Sequence, residues 1–275
     1  MSLFSVIIPA NNEEGYIGAC LDAVLVQDEA AGPLEVIVSA NACTDRTVEI
    51  ARAYADRFTG RGWSLRCLDR AAPGKVGALN AADDAASGTL RAYLDADVIC
   101  EPALFGQLRA ALARPEPCYA TGRLAVVPPR SRVTRHYAAL WQELPFMKGG
   151  AVGAGLFAVN AAGRALWGRF PEIISDDTFV RLQFTPEQRI EVPARYHWPM
   201  IEGWSGLVKV RRRQDAGVAE VYALHPELRA NEGKARLGAG GAARLALRDP
   251  LGFAVYAGVS LAVRLRRGSG WVRGR

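Results

Sequence analysis

Between Phe4 and Asp97 apolar runs of strand length alternate with segments whose apolar residues recur at helical spacing. Such alternation limits the chain to a parallel sheet with helices on both faces. "FSVIIPA" reads as a first strand, and the following segment repeats Ile17, Cys20, Leu21, Val24 and Leu25 at helical intervals. "LEVIVSA" reads as a second strand, followed by a single helix over "CTDRTVEIARAYADRF". "WSLRCLD" is a third strand, "GKVGALNAADDAASG" a helix closed by Gly88, and "LRAYLDAD" a fourth strand carried through to Asp97. Each strand runs into a polar cluster: Asn11 to Glu14, Asn41 to Asp45, Pro73 to Lys75, then Asp95 with Asp97. In open sheets of this kind ligands gather at the carboxyl ends of the strands.

Asp95 and Asp97 are two apart, which on a strand turns both carboxylates to one side. Three readings are open for them: a turn pair, oxygen ligands for a hard divalent cation, or a phosphate-accepting nucleophile with its acid/base partner. The third fits the apolar run before DxDxV, which resembles the haloacid-dehalogenase phosphatases.

Other classes lose support. The segment "IIPANNEEG" lacks the GxGxxG of dinucleotide binders, and "PGKVG" has Lys75 without the spacing of a Walker A loop. Cys20, Cys43, Cys67, Cys100 and Cys118 are odd in number and form no CxxC pair, so neither a disulfide framework nor a zinc site is expected, and a reducing cytoplasm fits. "VPPRSRVTR" (127–135) reads as a basic loop. "GLFAVN" reads as a strand and "AAGRALWG" as a short helix. In "EIISDDTFVRLQF", Ser175 or Asp176 is placed to cap a helix.

The order of these segments resembles family 2 inverting glycosyltransferases of the GT-A fold. "VIIPANNEE", "VSANACTDRT", "GKVGALNAA", "YLDADV", "VGAGLFAVN" and "SDD" follow that family's motifs over residues 4–215. The resemblance implies an α/β, Rossmann-like, mostly parallel central sheet flanked by helices, with a helical, basic C-terminal extension. It divides the chain into a catalytic domain, 1–215, and the extension, 216–275; within the domain, 1–100 is the nucleotide half and 101–215 the acceptor half. It also implies transfer of a sugar from a nucleotide-diphosphate donor to a hydroxyl acceptor with inversion. Asp97 and Asp95 would hold Mg²⁺ or Mn²⁺, with Asp95 also near the ribose. Lys75, Arg211 and Arg213 would face the phosphates, and Pro9, Asn11, Glu13 and Asn41 the nucleoside. Asp177 would be the general base, with Asp176 beside it. Asn11 and Asn41 stand where the family has an aromatic residue and an aspartate.

Charge is uneven. From Trp204 onward 14 Lys+Arg face 5 Asp+Glu, a balance of +9 that leaves −3 of the overall +6 for residues 1–203. The tail holds a 13-residue uncharged run, 251–263, followed by a basic segment with Trp271. A spanning helix needs about 20 apolar residues. The tail therefore reads as interfacial or packed, with an anionic membrane surface and a lipid-linked acceptor as candidate partners and no nucleic acid expected. The expected location is the cytoplasm or the inner membrane face.

Overall fold

The structure is a computed structural model describing residues 2–148, 150–235 and 237–265. The stretch around Trp271 lies outside the described residues. Eight strands form one sheet in the order β3-β2-β1-β4-β7-β6-β8-β5. They are β1 (Phe4–Ala10), β2 (Leu34–Asn41), β3 (Ser64–Arg70), β4 (Leu90–Leu94), β5 (Ile99–Cys100), β6 (Tyr119–Val126), β7 (Leu156–Val159) and β8 (Arg189–Trp198). The helices are α1 (Ile17–Leu25), α2 (Thr47–Ala53), α3 (Ala55–Gly60), α4 (Lys75–Ala85), α5 (Leu104–Leu112), α6 (Arg132–Gln142), α7 (Ala161–Arg164), α8 (Asp176–Arg181), α9 (Gly203–Leu224), α10 (Ala239–Arg248) and α11 (Pro250–Leu265).

The pairs β1–β2, β2–β3 and β1–β4 are parallel, and β7 joins β4 antiparallel. The chain thus winds outward from β1 to β3 and returns to the other side of β1, which makes the β1/β4 boundary the switch point of the fold. Every residue of β1 and β2 is buried, as central strands covered on both faces must be. Pro9 lies in that buried stretch, in register with Ser39. The β1–β4 register ends at Ile7↔Tyr93 while β1–β2 runs on to Ala10↔Ala40. Pro9, which lacks an N–H, therefore sits where β1 has a neighbour on one side only.

Three elements depart from the sequence reading. The expected helix over 43–58 divides at Tyr54, whose N–H bonds to Ala51, while its hydroxyl donates to the Gly18 carbonyl at 3.0 Å. The helix of "GKVGALNAADDAASG" ends at Ala85, before Gly88. Gly88 instead lies against Ser5 and Leu3, so closely that a side chain there would meet backbone. Of the expected basic loop 127–135, residues from Arg132 onward form α6, with Ser131 accepting from the Thr134 N–H.

β4 is anchored through Asp83 of α4, which is buried. Its carboxylate accepts from the Tyr93 hydroxyl at 2.7 Å, from Arg91 at 2.6 Å and from Arg164 Nε at 2.8 Å. Burial acts to raise the Asp83 pKa, but the hydrogen bonds from Arg164, Tyr93 and Arg91 outweigh it and the carboxyl lies below its ordinary value. Asp83→Ala would leave two guanidinium groups without their carboxylate and is expected to cost about 3–5 kcal/mol, read by urea unfolding. Because the folded pKa is depressed, this stabilisation is present above the unfolded carboxyl pKa of about 3.9 and is lost as pH falls below it. A variant losing under about 1 kcal/mol would overturn this account of the anchor.

The chain forms two compact units. The first comprises Met1–Ala125, Gly153–Glu172 and Gln183–Trp198, and the second Val126–Val152, Ile173–Leu182 and Pro199–Arg275. The expected boundary after residue 215 falls inside the continuous helix α9, and the two units interleave along the chain instead of following one another. In the second unit α6, α9 and α11 pack through Tyr137, Leu207, Val208 and Val259.

Candidate active site

In the first unit the polar clusters after β1 to β4 meet at the carboxyl edge of the sheet. The Asn11 side chain donates to the carbonyl of Asn41 and, at 3.3 Å, to that of Ala42. Ala42 has φ 46°, a left-handed conformation that a Cβ disfavours, and its N–H is held by the Arg70 carbonyl at 2.7 Å. Asn12 is also left-handed (φ 55°), and its side chain accepts from the Thr44 N–H at 2.8 Å. Asp45 accepts from the N–H groups of Thr47 (3.0 Å) and Glu14 (3.1 Å), and the Thr47 hydroxyl accepts from the Glu13 N–H at 2.7 Å. These bonds fix the two loops to one another, and Asp45 is a structural bracket, as its position at a helix start implies.

Asn41 is buried and turned inward. Its amide donates to the Ala10 carbonyl at 2.8 Å and its Oδ1 accepts from the Gly74 N–H at 3.1 Å. Only an amide both donates and accepts in this way; a carboxylate at position 41 could not donate to Ala10. The resemblance puts Asn41 at the nucleoside; in the fold its amide ties β1 to the start of α4. Gly74 has φ +113°, a value that favours glycine, and it delivers Lys75 as the first residue of α4. Lys75 Nζ then lies 3.0 Å from Asp95 Oδ1.

β4 ends at Leu94, so Asp95 and Asp97 occupy a turn, closed by Val98 N–H on the Asp95 carbonyl at 3.1 Å, and not a strand. Burial still alternates: Ala96 and Val98 are buried, whereas Asp95 and Asp97 are half-buried. The Asp95 N–H is fixed by the Gly155 carbonyl at 2.8 Å. Gly155 (φ +78°) passes so close to Val98 and Trp198 that a side chain would clash with them. Beneath the turn lies Cys20 of α1, with Sγ 3.8 Å from the Asp95 carbonyl. Burial, then Cys100, Asp97, Asp95 and Glu13, raise its thiol well above the ordinary value.

Asp95 and Asp97 offer hard oxygen ligands, and among the described residues no group of three or more His, Cys, Asp or Glu forms a complete metal cage. Two carboxylates fit a cation such as Mg²⁺ or Mn²⁺ that draws its remaining ligands from water and substrate phosphates.

Asp176, Asp177, Arg211 and Arg213 belong to the second unit. Asp176 is buried, whereas Asp177 is half-buried. Asp177 Oδ1 accepts from the Thr178 N–H at 2.6 Å and the Ser175 hydroxyl at 2.9 Å. Ser175 stands at the N-cap but makes no side-chain capping bond. The segment is braced by Glu220, which accepts from the Ile174 N–H at 2.8 Å, and by Gly217, whose lack of a side chain admits Ile174 and Ser175. Arg213 lies one turn before Gly217 on the same face of α9. Arg181 of α8 pairs with Glu232 at 2.5 Å, which also accepts from Tyr222. Burial opposes ionisation of Glu232, but Arg181, Tyr222 and Lys234 bring its pKa down to about 2.

Arg211, assigned to the phosphates from sequence, is committed elsewhere. It reaches the hydroxyls of Tyr137 (3.2 Å) and Tyr256 (3.3 Å) and pairs with Asp215 at 2.9 Å, clamping α9 to α6 and α11. Trp167 is buried, Trp198 packs on Gly155 and Trp204 is exposed.

The strand order, the switch point and the acidic turn after β4 define a GT-A fold. The fold is shared with a mannosyltransferase, PcManGT of Pyrobaculum calidifontis, solved with GDP-Man and Mn²⁺ (TM-score 0.62, 22% identity, 97% of this chain and 76% of that one). It is shared also with the glucosyl-3-phosphoglycerate synthase of Mycobacterium tuberculosis, solved with Mn²⁺, UDP-Glc and glycerol 3-phosphate (TM-score 0.54, 19% identity, 81% and 78%). Residues 5–170 match the model for Glycosyl transferase family 2, and the chain belongs to that family.

Among curated relatives, the uncharacterised glycosyltransferase EpsJ of Bacillus subtilis is 33% identical over 106 residues, 38% of this chain and 29% of EpsJ. Glycosyltransferase AglE of Haloferax volcanii is 36% identical over 99 residues, 36% of this chain and 31% of AglE. The match spans about a third of the length of either relative. The phosphatase reading of Asp95 and Asp97 finds no support, because the family match takes in β1 to β3, which that chemistry leaves idle.

Proposed function

We propose that the protein transfers a sugar from a nucleotide-diphosphate donor to a hydroxyl acceptor with inversion, acting in the cytoplasm or at the inner membrane face, with a lipid-linked hydroxyl as the candidate acceptor. The observation that carries this reading is the meeting of Asn11, Lys75 and the Asp95–Asp97 turn at the carboxyl ends of β1, α4's approach and β4, with Lys75 and Asp95 3.0 Å apart. Asp97 and Asp95 would hold Mg²⁺ or Mn²⁺, which supplies Lewis-acid stabilisation to the pyrophosphate leaving group. Lys75 exchanges its contact with Asp95 for a donor phosphate oxygen, placing a cation where negative charge grows. Glu13 and Asn11 line the nucleoside side, while Pro9 and Asn41 shape its floor from within. Asp177 takes the proton of the attacking hydroxyl, since an unactivated alcohol is a poor nucleophile. Asp176, buried beside it, orients the segment, and Arg213 in place of Arg211 supplies further positive charge.

A panel of UDP-, GDP- and other nucleotide sugars, read by thermal shift with and without Mn²⁺ or Mg²⁺, tests the donor class. One donor is expected to raise the melting temperature only when metal is present. Stabilisation by none of them, or equally with metal absent, would sink the reading.

A further inference from the structure

The two helices that end the described chain, α10 and α11, leave apolar side chains exposed. In α11, Gly252 and Val259 are buried, and Val255, Tyr256 and Val263 pack with Tyr137, Leu207 and Val208. On the other side Leu251, Ala254, Ala257, Leu261 and Leu265 are exposed, at spacings that keep them in one stripe along the helix. Leu265 is 74% exposed, and Leu247, on the outer side of α10, 84%. Leu247 lies between Arg244 and Arg248, both exposed, and Arg264 borders the far end of the stripe. Arg248 also pairs with Glu143 at 3.1 Å yet keeps 71% of its side chain in solvent. Between Leu237 and Leu265 the only acidic residue is Asp249, which caps α11 by accepting from the Gly252 N–H at 2.8 Å.

We infer that this face seats the protein on an anionic membrane surface, with Leu247, Leu251, Leu261 and Leu265 entering the headgroup boundary and Arg244, Arg248 and Arg264 meeting lipid phosphates. An apolar stripe edged only by cations suits such a surface and repels a second copy of itself. α11 has 16 residues, about 24 Å at helical rise. No helix among the described residues is long and apolar enough to cross a membrane. α11 therefore lies along the surface. The inference deepens the peripheral location proposed above and rests on that reading, but membrane binding is measured without sugar transfer, so either can fail alone.

Full-length protein is floated with vesicles of phosphatidylcholine alone or mixed with phosphatidylglycerol. Wild type is expected to partition onto the mixed vesicles and to be released by salt. The pair Leu247→Gln and Leu261→Gln, and separately the pair Arg244→Gln and Arg264→Gln, are each expected to weaken partitioning about tenfold or more. Melting temperature and metal-dependent donor binding report that the variants are folded. Equal recovery with neutral and anionic vesicles, or unchanged partitioning of both folded variants, overturns the inference. So does a wild-type dimer in sedimentation that the leucine pair dissolves, which would make the face a self-association surface.

Discussion

Asp177→Asn is expected to lower kcat for sugar transfer by about 10²–10⁴-fold while donor affinity stays within about twofold, measured by steady-state kinetics and by nucleotide titration. The argument rests on what the substitution keeps. Both hydrogen bonds that hold the side chain fall on Oδ1, from the Thr178 N–H and the Ser175 hydroxyl. An amide oxygen accepts both, so the start of α8 is preserved and only the basic Oδ2 is exchanged for a donor. Asp176→Asn changes a buried group instead, and its effect should appear first in stability. A fall in kcat smaller than about tenfold in Asp177→Asn, with the fold intact, would remove Asp177 from the role of base.

The parallel half of the fold was legible because β1 and β2 are covered on both faces, so their residues must be apolar almost without break. All five apolar positions singled out in the first helix, Ile17, Cys20, Leu21, Val24 and Leu25, are buried. Strand-end polarity likewise located Asn11, Lys75, Asp95 and Asp97. What sequence could not supply was the direction of polar side chains, because their partners are remote in the chain. The amide of Asn41 is held at both ends, by Ala10 and Gly74, which lie 31 and 33 residues away. Arg211 looked like a phosphate contact, but its partners Tyr137 and Tyr256 lie 74 and 45 residues away. Period-two spacing placed Asp95 and Asp97 on a strand; the strand stops at Leu94, and a turn preserves the alternation of burial for a different reason. The interleaved units were equally hidden, since each is assembled from segments far apart in the chain.

Asp97→Asn is expected to weaken nucleotide-diphosphate binding in Mn²⁺ by about 100-fold, and calorimetric titration would show it. Only two protein carboxylates serve the turn, and Asp95 Oδ1 already faces Lys75 Nζ at 3.0 Å. The cation would therefore lean on Asp97, and losing that charge removes most of what the protein contributes to the site. Chelation of the metal should weaken wild-type binding to about the same extent and should add almost nothing in Asp97→Asn, because both act on one interaction and coupled losses do not sum. Asp95→Asn is expected to cost less, since it also frees Lys75 to meet the donor phosphates. If Asp97→Asn and chelation instead combine additively, the carboxylate and the metal act at separate places. Asp97 would then be a structural turn residue, and Lys75 would be the group of that turn left to meet the negative charge of the leaving group.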